Sequence, residues 1–285
     1  MTDVSPADAL AAAATGPAER RIAEIVAREE SAALRRGPAA LLKAAGAGPL
    51  DLDRLLAAAG FGGFAELTAG VRAAEDRRLT SPQARFGARL GRATSAQDLL
   101  DRAAERETEN LTATLDALRA NGALELAAER IVAARRRYVA GGGKSRAYAV
   151  LLSADLAASM SGVTTVDGAT VRPLDVLCDV RAGDLLVAFS LRRYTRATLA
   201  FAAEFRAGGG EVVGVTDDPD APLVAHSDVA VVVRTASASY ADSPTAVAAV
   251  VHILATLAAA RAKGARRRLD RRGALAESLD LYQEN

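Results

Sequence analysis

The hydrophobic pattern changes period near residue 135, and that change constrains the fold more than any other feature. From Pro17 to about Gly122 apolar residues recur at helical spacing, as at Ile22, Ile25 and Val26, which gathers them on one side of a helix. After Arg137 short apolar runs alternate with Ala/Leu-rich stretches. The runs are Tyr138–Ala140, Gly162–Val166, Asp184–Phe189, Glu211–Thr216 and Asp228–Val233. Runs with few polar alternate positions need cover on both faces, which is the signature of a parallel sheet between helical layers. The expectation is a doubly wound sheet of five strands, with helices at roughly 144–160, 172–178, 194–207, 220–226 and 244–262. Such sheets bind ligands beyond the carboxyl ends of their strands, where helices begin.

The first half is punctuated by glycine and proline. Pro17 suits a first helical turn, and Glu19 complements the positive end of that helix. Gly37-Pro38, Gly46, Gly48-Pro49 and Gly60 bound two short helices, and Phe61-Gly62-Gly63-Phe64 makes an aromatic-anchored turn into a helix over about 64–78. Residues 95–119 read as one longer helix with Leu99, Leu100, Ala103, Leu111, Leu115 and Leu118 on one side, opened by a capping-box-like pair, Ser95 and Asp98. That helix either packs on its own domain or also pairs two subunits. The organisation expected is a helical domain over 1–80, linker helices over 81–120, an α/β domain over 121–264 and a charged tail over 265–285.

Charge and cysteine content exclude several classes. The chain of 285 residues has 36 Lys+Arg against 35 Asp+Glu, which removes the simplest argument for a nucleic-acid binder, an overall basic chain. The single cysteine, Cys178, forbids an intramolecular disulfide framework and a Cys-based zinc cluster. The apolar stretch ADALAAAA lacks a basic segment before it, and charges interrupt every longer candidate, so neither a signal peptide nor a membrane span is expected. A cytoplasmic protein is the default, and the Ala- and Arg-rich, Lys-poor usage points to a high-GC bacterial source.

Two polar loops fall where a doubly wound sheet places its ligand. After the first strand comes AGGGKSRA, where Gly141, Gly142 and Gly143 permit close backbone approach, Lys144 adds charge and Ser145 offers a hydroxyl at a helix start. Its spacing is neither that of a Walker loop nor of a dinucleotide fingerprint. After the third strand comes SLRRYTRAT, with Ser190 and Thr195 flanking a turn that holds Arg192 and Arg193, and Arg196 following. Hydroxyls, free N–H groups and guanidinium groups at a helix N-terminus suit a phosphate or carboxylate. No metal site and no cofactor is expected.

These loops give the second half a resemblance to the sugar isomerase (SIS) domain, a phosphosugar-binding α/β fold whose pattern is a GxGxS turn followed later by an SxSGxT loop. Here the first reads Gly141-Gly142-Gly143-Lys144-Ser145 and the second Ser190-Leu191-Arg192-Arg193-Tyr194-Thr195. VVGVTDDPDAPLVAHSDVAVVV, with Thr216-Asp217, also resembles that family, and the likeness covers roughly 121–260. The first half resembles the N-terminal domain of RpiR-type transcriptional regulators, through GPAERRIAEIVA and GFGGFAELTAGV. A helix-turn-helix domain joined by a long helix to a SIS domain is the arrangement of that family.

The resemblance implies a DNA-binding regulator that senses a phosphosugar or another small anionic metabolite, assembled as a homodimer or homotetramer. It implies a ligand site of Gly143, Lys144, Ser145, Ser190, Arg192, Arg193 and Thr195, and DNA contacts from Arg35, Arg36 and Arg54. In the second loop Arg192 stands for the second Ser and Arg193 for the Gly, a loss of one hydroxyl and one permissive backbone position. The arginines either clamp a more acidic ligand or fill the pocket. The recognition segment PLDLDRLLAAAG has Arg54 as its only base beside Asp51 and Asp53, and residues 15–79 hold ten basic and nine acidic side chains. Carboxylates facing a polyanion repel it. The alternative is therefore a SIS-type sugar-phosphate isomerase or a repurposed relative with a degenerate helix-turn-helix.

Isomerase chemistry needs a base beside the loops, and none stands out. His252 reads as a core or interface histidine, His226 as the end of a short helix, and Cys178 as a small buried hydrophobe. Tyr240–Pro244 precedes the last helix and is a further candidate for lining the site. The run of Arg261, Lys263, Arg266, Arg267, Arg268, Arg271 and Arg272 reads as solvated, with DNA contact as a second possibility.

Overall fold

The computed structural model describes residues 5–29, 34, 37–78, 82–86 and 95–283. They fall into two compact units, one ending at Arg85 and the other beginning at Phe86.

The first unit is all helical. Helix α1 (Pro6–Ala13) starts at Ser5, whose hydroxyl accepts the Asp8 N–H. Helix α2 (Pro17–Glu29) is opened by Glu19, whose carboxylate takes the N–H groups of Thr15 and Gly16 and the Thr15 hydroxyl at 2.8–2.9 Å. These bonds, the Gly16 amide first, hold the Glu19 carboxyl below its ordinary range. Helices α3 (Gly37–Ala45), α4 (Pro49–Ala58) and α5 (Phe64–Arg78) follow. One apolar side of each meets in a core that includes Leu10, Ile22, Val26, Leu41, Leu52, Leu55, Leu67 and Val71, with Phe61 and Phe64 packed against it. Gly46 turns α3 into α4 with φ +57°, a conformation that suits glycine.

A short helix, α6 (Pro82–Arg85), closes the first unit, and the first long element of the second is the helix α7 (Ala96–Asn121). Ser95 caps α7 and Gly122, at φ 65°, ends it. The side of α7 that faces the sheet is more polar than the leucine spacing suggests. Asn110 and Thr114 are buried beside Leu118, whereas Leu100 is exposed. Asn110 Nδ2 donates to the Ala236 carbonyl, and Thr114 Oγ1 accepts the Arg234 N–H at 3.0 Å. The packed-on-its-own-domain reading of this helix therefore holds, through hydrogen bonds as much as through leucines.

From there the chain runs α8 (Ala123–Ala133), β1 (Arg136–Gly141), α9 (Ser145–Ser159), β2 (Val163–Val166), α10 (Pro173–Asp179), β3 (Asp184–Phe189), α11 (Arg196–Ala207), β4 (Glu211–Thr216), β5 (Val229–Val232), α12 (Thr245–Arg261) and α13 (Ala265–Ser278). The five strands are all parallel, in the order β2-β1-β3-β4-β5. Alternate strand residues face opposite ways, and both faces are covered. Val139, Val187, Phe189 and Val215 pack with α8, α9 and α12. Tyr138, Leu186, Ala188 and Val212 pack with Val176 of α10 and Phe201 and Phe205 of α11.

At the amino edge, buried Asp184 holds Arg135 at 2.8 Å and Arg136 at 2.6 Å. Burial alone would raise the Asp184 carboxyl, but the bonds from Arg136 and the Arg181 N–H leave it below the usual aspartate range. Among the described residues no single helix is long and apolar enough to cross a membrane, and no group of three or more His, Cys, Asp or Glu side chains is placed to hold a metal ion.

Candidate functional site

The strand order fixes where the sheet opens. The chain passes from β1 to β2 on one side and then crosses to β3 on the other side of β1. The loops after β1 and β3 therefore diverge at the switch point, the place where a doubly wound sheet forms a crevice.

The glycines after β1 each answer a different constraint. A Cβ on Gly141 would lie 2.6 Å from the Ser145 carbonyl oxygen, so the loop can fold tightly into α9 only with glycine there. A Cβ on Gly142 would lie 2.4 Å from Thr195 Oγ1, so the two loops touch at this point. Gly143 has φ +56°. Ser145 is buried at the first turn of α9, its N–H directed to the Gly142 carbonyl. Lys144 extends to the Asp242 carbonyl, in the segment that precedes α12.

The loop after β3 is held from below. The Ser190 N–H donates to the Val215 carbonyl at 3.0 Å, and its carbonyl accepts the Thr216 hydroxyl at 2.8 Å. The side chain is 2 % exposed and its Oγ has no hydrogen-bond partner. A buried hydroxyl left unbonded costs about 1–3 kcal/mol, which marks this atom as unfinished business for a ligand. Thr195 stands at the N-cap of α11, but its Oγ1 lies 2.7 Å from Thr198 Oγ1 and makes no capping bond, so amides at this helix start remain open.

The two arginines of this loop behave differently from a pair of free clamps. Arg193 has φ 66°, one of two positive values among described non-glycine residues, a conformation that costs an L-residue about 1 kcal/mol. Arg192 turns to Asp217, its Nε 3.8 Å from Oδ2. Asp217 follows β4 and is 3 % exposed in its side chain. Burial raises its carboxyl above the ordinary range, and Arg192 and the Tyr194 hydroxyl only partly offset that. Burial, and then the Asp217 charge, push the Tyr194 phenol well up. Asp217 Oδ1 is buried without a hydrogen bond.

A third wall comes from far away in sequence. Ser243 is buried, accepts the Thr245 N–H at 3.3 Å and donates to Glu107 of α7. Burial raises the Tyr148 phenol on α9, and the charges of Asp242 and Glu107 add to it. Glu107, Lys144, Tyr148 and Ser243 thus meet beside the glycine loop. The sequence shows no carboxylate beside the loop, because Glu107 is separated from it by more than thirty residues. The one available signal was that Glu107, Asn110 and Thr114 share helical spacing.

The other candidates lie elsewhere. His226 ends a 3-10 turn, Val224–His226, ahead of β5 and so at the amino edge. His252 is exposed, not in the core, because the buried side of α12 is that of Val247, Val250, Val251 and Leu254. Cys178 is exposed as well, since α10 buries only Val176. Glu211, at the start of β4, pairs with Arg130 at 3.2 Å.

On the helical unit, α4 turns Leu50, Asp53, Arg54, Ala57 and Ala58 to solvent. Asp51 takes the Gly48 N–H at 2.9 Å and pairs with Arg54 at 2.7 Å. That carboxylate is therefore occupied at its own helix start and neutralised. Arg35 and Arg36 lie outside the described residues.

Residues 130–263 match the SIS domain family. This part of the chain is a SIS domain. Its sequence and fold are similar to the sugar isomerase domain of an RpiR transcription factor from Sphaerobacter thermophilus, with 28% identity, a TM-score of 0.54, and 63% of this chain and 97% of that one covered. The Vibrio vulnificus NanR protein complexed with ManNAc-6P is similar across both units, at 15% identity and a TM-score of 0.56, over 93% of this chain and 94% of that one. A phosphoheptose isomerase from Francisella tularensis matches at 16% identity and a TM-score of 0.50, over 59% of this chain and its full length. The last two likenesses are of fold. No protein of curated function matches the chain. The resemblance to RpiR-type regulators is thus borne out for the SIS domain; for the helical unit the likeness to NanR is one of fold.

Proposed function

We propose that the chain is a cytoplasmic bacterial transcriptional regulator that binds DNA through its helical unit and senses a phosphosugar, or another small phosphorylated anion, through its SIS domain. The observation that carries the ligand half is Ser190: a buried hydroxyl without a partner, at the switch point and beside the open start of α11. A phosphate there takes the Ser190 hydroxyl and the open N–H groups at the start of α11, beside Thr195, with the Ser145 hydroxyl facing it from α9 and Gly143 allowing close approach. Lys144 leaves the Asp242 carbonyl to meet the anion, and Arg193 supplies charge at the rim. NanR, which shares the fold over both units, was solved with a phosphorylated sugar.

DNA binding rests on Arg54 in α4, together with Arg35 and Arg36, in a homodimer that presents two reading helices to paired half-sites. Ligand acts by linkage: it favours one arrangement of the dimer, which changes its affinity for DNA. The test is binding of the purified chain to its own promoter region across a salt series, with and without phosphosugars. Specific binding that weakens with salt and shifts with a phosphosugar is expected; no salt-dependent affinity in either condition refutes the regulator reading.

Glu107 favours a second reading, that of a sugar-phosphate isomerase, because it brings a carboxylate beside Tyr148 and Ser243 at the site. Interconversion of an aldose phosphate and its ketose that Glu107→Gln abolishes, while binding persists, decides for the enzyme.

A further inference from the structure

We propose that Asp217 is the positioning residue of the loop Ser190–Thr195: it clamps both neighbours of Arg193 and so holds the left-handed turn that presents Ser190 and Thr195. This rests on the reading of that loop as the anion site. Arg193 has φ 66°, and an L-residue stays in that conformation only where its surroundings leave no alternative. The surroundings here are specific. On one side, Arg192 reaches Asp217 with its guanidinium at 3.8 Å, and its backbone N–H bonds to the same carboxylate. On the other side, the Tyr194 phenol stands beside the same carboxylate, near enough that its charge adds to burial in pushing the phenol up.

The carboxylate is fixed in turn. It follows directly on β4, lies buried, and takes the Thr235 hydroxyl at 3.4 Å on Oδ2. The preceding residue, Thr216, holds the Ser190 carbonyl, so the last residue of β4 and the one after it fasten the base and the crown of the loop. The loop thus has its shape imposed from the neighbouring strand, and Arg192 serves as a strut with its charge spent inward.

The test uses the full chain and two independent readings. The first is limited trypsin digestion without ligand, with the bond after Arg192 followed by mass spectrometry. The second is calorimetric affinity for fructose 6-phosphate. Asp217→Ala is expected to speed cleavage after Arg192 at least tenfold relative to other sites and to weaken fructose 6-phosphate binding about tenfold. In an Arg193→Gly background, Asp217→Ala is expected to cost little further affinity, since glycine takes the turn without strain. Asp217→Asn keeps an acceptor in place and serves should the alanine variant fail to fold; an intermediate cleavage rate is expected. Unchanged cleavage after Arg192 in both Asp217 variants, or a rise shared equally by every site, overturns the proposal, as does an affinity loss that Arg193→Gly leaves untouched. If wild-type protein binds no fructose 6-phosphate, the anion-site reading fails, and the cleavage pattern still decides whether Asp217 is the clamp.

Discussion

Replacing Ser190 by alanine should move stability and binding in opposite directions. In the free protein the hydroxyl is buried, 2 % exposed for the residue, and has no partner. Removing it deletes no hydrogen bond and recovers part of a desolvation cost of about 1–3 kcal/mol. The small void left by one oxygen takes some of that back, so a net gain of roughly 0.5–1 kcal/mol is expected. For a unit of this size that is an upward shift of about 1–4 °C in melting temperature.

With a phosphate ester in place, the same hydroxyl donates to an anion, a bond of about 1.5–3 kcal/mol. Its loss weakens affinity roughly ten- to a hundredfold. Scanning calorimetry on the free variant and titration calorimetry with fructose 6-phosphate measure the two effects separately. A variant that melts more than about 2 °C lower means the hydroxyl was bonded inside the protein. Unchanged affinity means it does not face the ligand. Either result refutes the reasoning.

Asp184→Asn should cost about 2–3 kcal/mol at neutral pH, a buried-pair loss discounted because Arg135 and Arg136 are partly exposed. Since the folded carboxyl titrates below its unfolded value, near 3.9, the advantage of wild type is complete above that pH. It vanishes as pH falls through the folded value, so urea melts of the two proteins should converge in acid. Gly142→Ala should lower stability by about 1–3 kcal/mol through overpacking against Thr195, and Thr195→Ala in the same chain should relieve much of it. Additive losses in that cycle would show that the two loops do not meet there. Arg54→Ala should reduce the slope of log affinity for promoter DNA against log salt by about one; an unchanged slope removes Arg54 from the DNA contact.

The layering of the fold was legible because its cause is periodic. Tyr138–Ala140 and Leu185–Phe189 are apolar at consecutive positions because helices cover both faces, and that pattern survives in the string of letters. The glycine loop was legible for a similar reason, since Gly141 and Gly142 are residue types the local geometry demands. What the loops' arginines do was not. Whether Arg192 points to a ligand or to Asp217 depends on a pairing across strands, and sequence order carries no direct trace of it. Cys178 faces water for another reason: it lies in an apolar stretch, but two positions on from Val176, the one buried residue of α10, the helix has turned about 200°. The same geometry takes His252, one position on from Val251, out of the core.

The long helix α7 is fastened to the sheet by Asn110 to the Ala236 carbonyl, by Thr114 to the Arg234 amide and by Glu107 to Ser243. Greasy contacts tolerate sliding, because one methyl serves about as well as the next. Directed bonds at three places do not. A turn of α7 by a single residue, about 100°, would break all three together and leave Asn110 and Thr114 facing the wrong way. The helix that leads in from the N-terminal unit therefore has a keyed seat, engaged or released as a whole, with no graded series of positions between.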